Sequence, residues 1–192
     1  MNKELLIKSM RLFENEGYDT WVSFYELANQ KENLKNLWFA KLNSKLIEYF
    51  SSNLPKEWRW QENRIVWYLE GHGPESLGVW LEQYHKFSIW VNESVYDGNK
   101  IKDLLNTTEY SDLSNCFERI DKRFDAGYKI VELGNFNFNT EFDGRYDHDS
   151  IAWHAGVNTE SYANQIIEKV ERIIKNEVAT EMFKRINQEA KK

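Results

Sequence analysis

The hydrophobic period of this chain changes twice, and those changes constrain its fold more than any single residue does. In "EWRWQENRIVWYLEG" (57–71), Trp58 and Trp60 share one face; Ile65, Trp67 and Leu69 share another after a turn near "QEN". Alternation interrupted by turn residues is a hairpin signal. "LGVWLEQY" (77–84) and "KFSIWVNE" (86–93) continue it, with Val79 and Leu81 against Trp80 and Glu82, then Phe87, Ile89 and Val91. Tryptophans on both faces of these strands predict a sheet covered on both sides, at least at its centre.

On either side of this region the apolar residues recur at helical spacing. Leu5, Leu6, Met10 and Phe13 mark a first helix, "EGYDT" (16–20) interrupts it, and Asp19 is a candidate N-cap for a second carrying Trp21, Phe24, Tyr25 and Ala28. A third helix carries Leu34, Leu37, Trp38, Leu42, Leu46, Tyr49 and Phe50, and "SSNLP" (51–55) ends it. Beyond the sheet, residues 111–124 read as a helix with Leu113, Cys116, Phe117, Ile120 and Phe124 on one side. "YKIVELGNF" (128–136) reads as a strand, and its place after a helix suggests a parallel crossover. "SIAWHAG" (150–156) reads as a short strand, and Asn158 or Thr159 then caps one long final helix from Tyr162 to Ile186. The expected fold is α+β: N-terminal helices, a mostly antiparallel central sheet with one parallel crossover strand, and a long C-terminal helix packed on the sheet. Residues 1–32 form a helical segment and residues 33–192 an α+β domain, together one unit.

A helix of about 28 residues runs roughly 40 Å, which overshoots a sheet of four or five strands. Part of its stripe, at Val178, Met182 and Phe183, therefore needs other cover. The N-terminal helices are the expected cover through Leu6, Met10 and Phe13, and a second copy of the chain is the alternative.

Composition narrows the function classes. Cys116 is the single cysteine, so no intrachain disulfide forms, and a reducing cytoplasm is the expected compartment. No apolar run reaches membrane-spanning length, and "MNKELLIKSMRLFENE" mixes charge into its apolar positions, unlike a signal peptide. A net charge of -6 argues against direct nucleic-acid binding, which relies on phosphate neutralisation by Lys and Arg. It is compatible with a basic protein partner, because opposite fields speed and orient encounter.

Catalytic motifs are sparse. "EGHGPESLG" (70–78) lacks the Lys-Ser/Thr pair of a phosphate loop and precedes a strand, so it reads as a hairpin connection. No GxSxG is present, and Cys116 falls in a predicted helical stripe where an inert thiol is expected. "DGRYDHDSIAWH" (143–154) gathers Asp147, His148, Asp149 and His154. In an extended chain Asp147 and Asp149 share a side while His148 and His154 do not join them, and the calcium-loop spacing is absent. The stretch reads as an acidic turn without metal; the alternative is a metal site on Asp147 and Asp149.

The element order resembles the core of the PD-(D/E)xK nuclease fold over roughly residues 33–189. That resemblance implies an acid on the second strand and a Glu-x-Lys on the third, which hold magnesium and position water. Here Glu82 in "WLEQYHK" is followed at the second position by Tyr84, Lys86 stands four positions on, and Glu70 would replace the first acid. The resemblance thus implies either a relative without activity or a nuclease using Glu70, Glu82 and Lys86.

The leading expectation is a non-enzymatic, acidic, cytoplasmic protein-binding module with no cofactor. An inhibitor, immunity or anti-defence protein acting on a nucleic-acid-handling enzyme fits that class. Trp58, Trp80 and Trp90, with Glu82, are the candidate interface residues, because Trp dominates binding energy where it reaches a surface.

Overall fold

The computed structural model describes residues 3–82, 84, 86–92, 94–105, 107–110, 121–125, 128–132 and 148–192. For Lys3, Leu5, Glu82, Lys86–Ser88, Trp90, Lys102, Tyr110 and the strands at 121–125 and 128–132, only the backbone is described.

Three helices open the chain: α1 (Lys3–Glu16), α2 (Tyr18–Asn29) and α3 (Lys31–Asn53). Single residues join them. Gly17 turns the chain between α1 and α2 at φ 83°, a left-handed conformation that glycine adopts without a Cβ penalty. Its amide donates to the Phe13 carbonyl and its own carbonyl accepts from Trp21, so the turn also starts α2. The cap is therefore Gly17 and not Asp19, which lies inside the first turn of α2.

The sheet contains β1 (Trp58–Gln61), β2 (Val66–Leu69), β3 (Gly78–Glu82), β4 (Lys86–Trp90), β5 (Asp121–Asp125) and β6 (Tyr128–Glu132). Their spatial order is β1-β2-β3-β4-β6-β5, and every neighbouring pair is antiparallel. The expected parallel crossover does not form: β6 runs antiparallel to both β4 and β5. Residues 121–124, expected to end a helix, lie in β5, the hairpin partner of β6, so the chain reverses there instead of crossing over. The remainder of that expected helix, 111–120, lies outside the described residues.

One sheet face carries the core. Trp58, Trp67, Leu69, Val79, Leu81 and Ile89 are buried in one cluster with Phe39, Leu42, Leu46 and Phe50 of α3. Phe50 sets its ring edge-on to both Trp60 and Trp67. The same cluster takes in the C-terminal helices α5 (His148–Val157), α6 (Thr159–Ile174) and α7 (Glu177–Glu189) through Ile151, Tyr162, Ile166, Val170, Ile173, Phe183 and Ile186. A smaller helix, α4 (Gly98–Leu105), adds Ile101.

Two expectations in the C-terminal third are corrected. Residues 150–156 are helix, inside α5, not strand. Ala152, Ala155 and Gly156 are small enough to let α5 approach α3 closely: a Cβ built on Gly156 would lie 2.4 Å from the Trp38 ring. Lys41 ties the same place down by donating to the Gly156 carbonyl at 2.8 Å. The single long helix is two helices broken at Lys175 and Asn176, where the Asn176 side chain accepts from the Ala179 amide at 3.1 Å and caps α7.

That break changes what covers the stripe. By turning at Asn176, α7 stays over the sheet: Phe183 meets Trp58 with ring centroids 5.4 Å apart, and Met182 is buried. Val178 remains half exposed. The N-terminal helices do not provide the cover expected of them, because Leu6 and Met10 are themselves exposed.

Candidate functional site

The tryptophans named from sequence separate by strand parity. Trp58 is fully buried, its indole N–H donating to Thr180 Oγ1 at 3.1 Å, so it is a core side chain and no interface anchor. Trp80 lies on the other face, paired across the strands with Val66; it is half-buried and donates to the Arg64 carbonyl at 2.5 Å. Trp90 pairs with Gly78, and its side chain lies outside the described residues.

The three residues of the nuclease alternative do not all meet. Glu82 pairs directly with Lys86 across the β3–β4 turn. Glu70 follows β2, and the β2–β3 register, which sets Val66 opposite Trp80 and Tyr68 opposite Gly78, places it at the far end of the sheet. Six residues of strand separate its level from that of Glu82, on the order of 20 Å. The Glu70 carboxylate binds Arg59 at 2.6 Å.

Asp147 lies outside the described residues. Asp149 opens α5, and its carboxylate is held between two ammonium groups: Lys31, and Lys35 at 2.6 Å. Hydrogen bonds from Lys31, then Lys35, keep its pKa below the usual aspartate range, outweighing a small opposing effect of burial. Lys35 is buried against this cluster, also bonding Glu32 at 2.6 Å, and its pKa is raised mainly by the Asp149 and Glu32 bonds. Ion pairs thus occupy the Asp149 oxygens and dock the start of α5 on α3. Among the described residues, no group of three or more His, Cys, Asp or Glu side chains is arranged to hold a metal. His148 faces the Phe39 ring, and His154 is buried beside Asn158.

The feature that fits no structural role is the N-terminal arm, α1 and α2. Among the described side chains of both helices, none is buried. Phe13 packs edge-on against Trp21 (4.9 Å) and Phe24 (5.2 Å), and Trp21 meets Tyr25 at 5.4 Å, so the two apolar stripes join at the Gly17 corner. Around that joint, Leu6, Ile7, Met10, Leu12, Tyr18, Trp21, Phe24, Tyr25 and Leu27 are exposed, Tyr18 to 77% and Leu27 to 62%. Leu37, at 68%, extends the apolar surface onto the first turns of α3. Large side chains bury 150–250 Å² each, so half-exposure of nine gives on the order of 1,000 Å² of accessible apolar side chain. The residues on the joined stripes, Leu6, Met10, Tyr18, Trp21, Phe24 and Tyr25, supply on the order of 600 Å² of it, the upper end of what the largest patch of a monomer shows. Sequence reasoning found these stripes but assigned them to core cover, because amphipathic spacing does not say which surface a helix faces.

Compared with known proteins, the chain matches no family model, no curated protein and no solved structure. No helix among the described residues is long and apolar enough to cross a membrane.

Proposed function

We propose that this chain is a non-enzymatic, acidic protein-binding module whose partner is a basic protein, and that the N-terminal arm is its docking surface. One observation carries the reading: α1 and α2 expose an aromatic-rich apolar surface that contributes nothing to the core. Exposed patches of this size mark interaction sites. The net charge of -6 supports a basic partner through complementary fields. An inhibitor, immunity or anti-defence protein acting on a nucleic-acid-handling enzyme is a class with these properties, since such enzymes carry basic surfaces for their own substrates.

The test is capture of the partner on the full chain, its identification by mass spectrometry, and titration of the purified partner by calorimetry. Wild type is compared with Met10→Ser/Tyr25→Ser, two exposed positions whose change leaves the core intact. Interface anchors typically contribute more than 1 kcal/mol, so about tenfold weaker binding is expected. Undiminished affinity in the variant would remove the arm from the interface.

A further inference from the structure

We infer that the arm receives an amphipathic basic helix, one apolar face flanked by Lys or Arg, laid across the Phe13–Trp21–Phe24 corner. This rests on the reading of the arm as a docking surface and names what docks there.

Charge is the first argument. Residues 1–30 hold three cations (Lys3, Lys8, Arg11) against five carboxylates (Glu4, Glu14, Glu16, Asp19, Glu26), a local net of -2. Lys8 is used locally, bonding Glu4 at 2.9 Å. Glu14, Glu16, Asp19 and Glu26 are exposed, and none has an ion-pair partner among the described residues. At 3.6 residues per turn, Glu14 and Glu16 fall on opposite flanks of the Leu6–Met10–Phe13 stripe. Asp19 and Glu26, seven apart, line the polar back of α2. The carboxylates at the end of α1 oppose its own dipole, so α1 gains no stability from them. They supply a negative rim around an apolar surface, and its complement is an apolar stripe with cationic flanks.

Shape is the second. α1 spans 14 residues and α2 spans 12. At 1.5 Å per residue each is about 20 Å long, which matches a partner helix of about four turns. A third helix packs on a helix face at an interaxial spacing of about 8–10 Å. Exposed apolar area on the order of 600 Å² on the stripe side meets the lower end of one side of a standard interface, about 600–1,000 Å² per partner. A second copy of the arm fits less well, because it would set a second Glu14 and Glu16 pair against the first at the same corner. An anionic lipid surface meets the same repulsion.

The experiment uses the full chain and a defined probe: an 18-residue peptide with leucine at positions i, i+3, i+4 and i+7 and lysine elsewhere. A counterpart carries glutamate in place of lysine. Calorimetry should give a one-to-one complex with the lysine peptide, weakening about tenfold from 50 to 300 mM salt as the Debye length shrinks. The glutamate peptide should bind at least about tenfold more weakly, by loss of the charge pairing. Glu14→Gln/Glu16→Gln should flatten the salt dependence, and Met10→Ser/Tyr25→Ser should abolish most binding, with circular dichroism confirming that both variants fold. Hydrogen exchange should show new protection confined to 3–29.

Equal binding of the two peptides, or protection elsewhere, overturns the proposal. So does light scattering that shows a dimer lost in Met10→Ser, because the occupant is then a second copy. Arm-dependent binding to phosphatidylglycerol vesicles overturns it in favour of lipid. If a captured partner docks on the arm with no salt dependence, the helix proposal fails while the module reading stands.

Discussion

At the scale of single residues, the structure makes sharp statements where one atom has no room to move. A methyl group on Gly156 meets the Trp38 ring at 2.4 Å. Gly156→Ala should therefore cost about 1–3 kcal/mol by overpacking. Urea unfolding measures it, and in a Trp38→Ala background the same change should cost little, as coupling through one contact requires. Burial also sets protonation. Burial lowers the pKa of His154 below its ordinary 6.5, and burial followed by Lys191 does the same for His72. A fold that favours neutral histidine has this stability in full above pH 6.5 and loses it as pH falls through the depressed folded values. The urea midpoint should drop between pH 7.5 and pH 5, and His72→Gln/His154→Gln should flatten that part of the profile. Tyr162 works at the other end. Its buried hydroxyl donates to the Tyr84 carbonyl, and burial holds its pKa well above 10.0. That contribution is complete below pH 10 and disappears as pH rises through the folded value, so Tyr162→Phe should be less stable at neutral pH yet less sensitive to alkali.

At the scale of elements, legibility followed how directly a residue pattern reports its own neighbours. The first three helices and the β1–β2 and β3–β4 hairpins were readable, since period and turn chemistry are local properties. Residues 150–156 were misread because a short stretch with only Ile151, Ala152, Trp153 and Ala155 as its apolar side chains fits a strand or a buried helix equally well. What decides it is the set of small residues Ala152, Ala155 and Gly156, which matters only once α3 lies alongside. The break at Lys175 and Asn176 had a local signal, an Asn followed by Glu177 in the first turn, hidden by a stripe that continues in phase on both sides. Asn176→Ala should remove the cap of α7 and cost about 1 kcal/mol, read as a shift in thermal midpoint. Among candidate site residues, the arm stripe was visible as amphipathic helix, but its exposure was not, because only the completed core shows which stripe is left over. Removing residues 1–29 tests that directly. No described side chain of α1 or α2 is buried, so the truncated chain should melt within a few degrees of the full one and stay in solution at higher concentration.

At the scale of the whole molecule, α3, the sheet and the C-terminal helices hold the buried residues, and none of the described side chains of the appended arm is among them. The register of the sheet bears on catalysis as well, since it keeps Glu70 at the opposite end from Glu82 and Lys86. Purified protein with Mg²⁺ or Mn²⁺ is expected to leave single- and double-stranded DNA and RNA intact. Cleavage that disappears in Glu82→Ala would reverse this, because a contaminating nuclease would not respond to that change. The joints at Gly17 and Gln30 have a further consequence. Each is one residue long, and neither is enclosed by the body of the protein. A lineage carrying this chain should thus be free to rewrite the arm almost without regard to the rest, because none of its described side chains is buried in the core. Where two such lineages compete over one target, the arm is where their sequences should diverge fastest, and the Trp58–Phe183 interior is where they should stay alike.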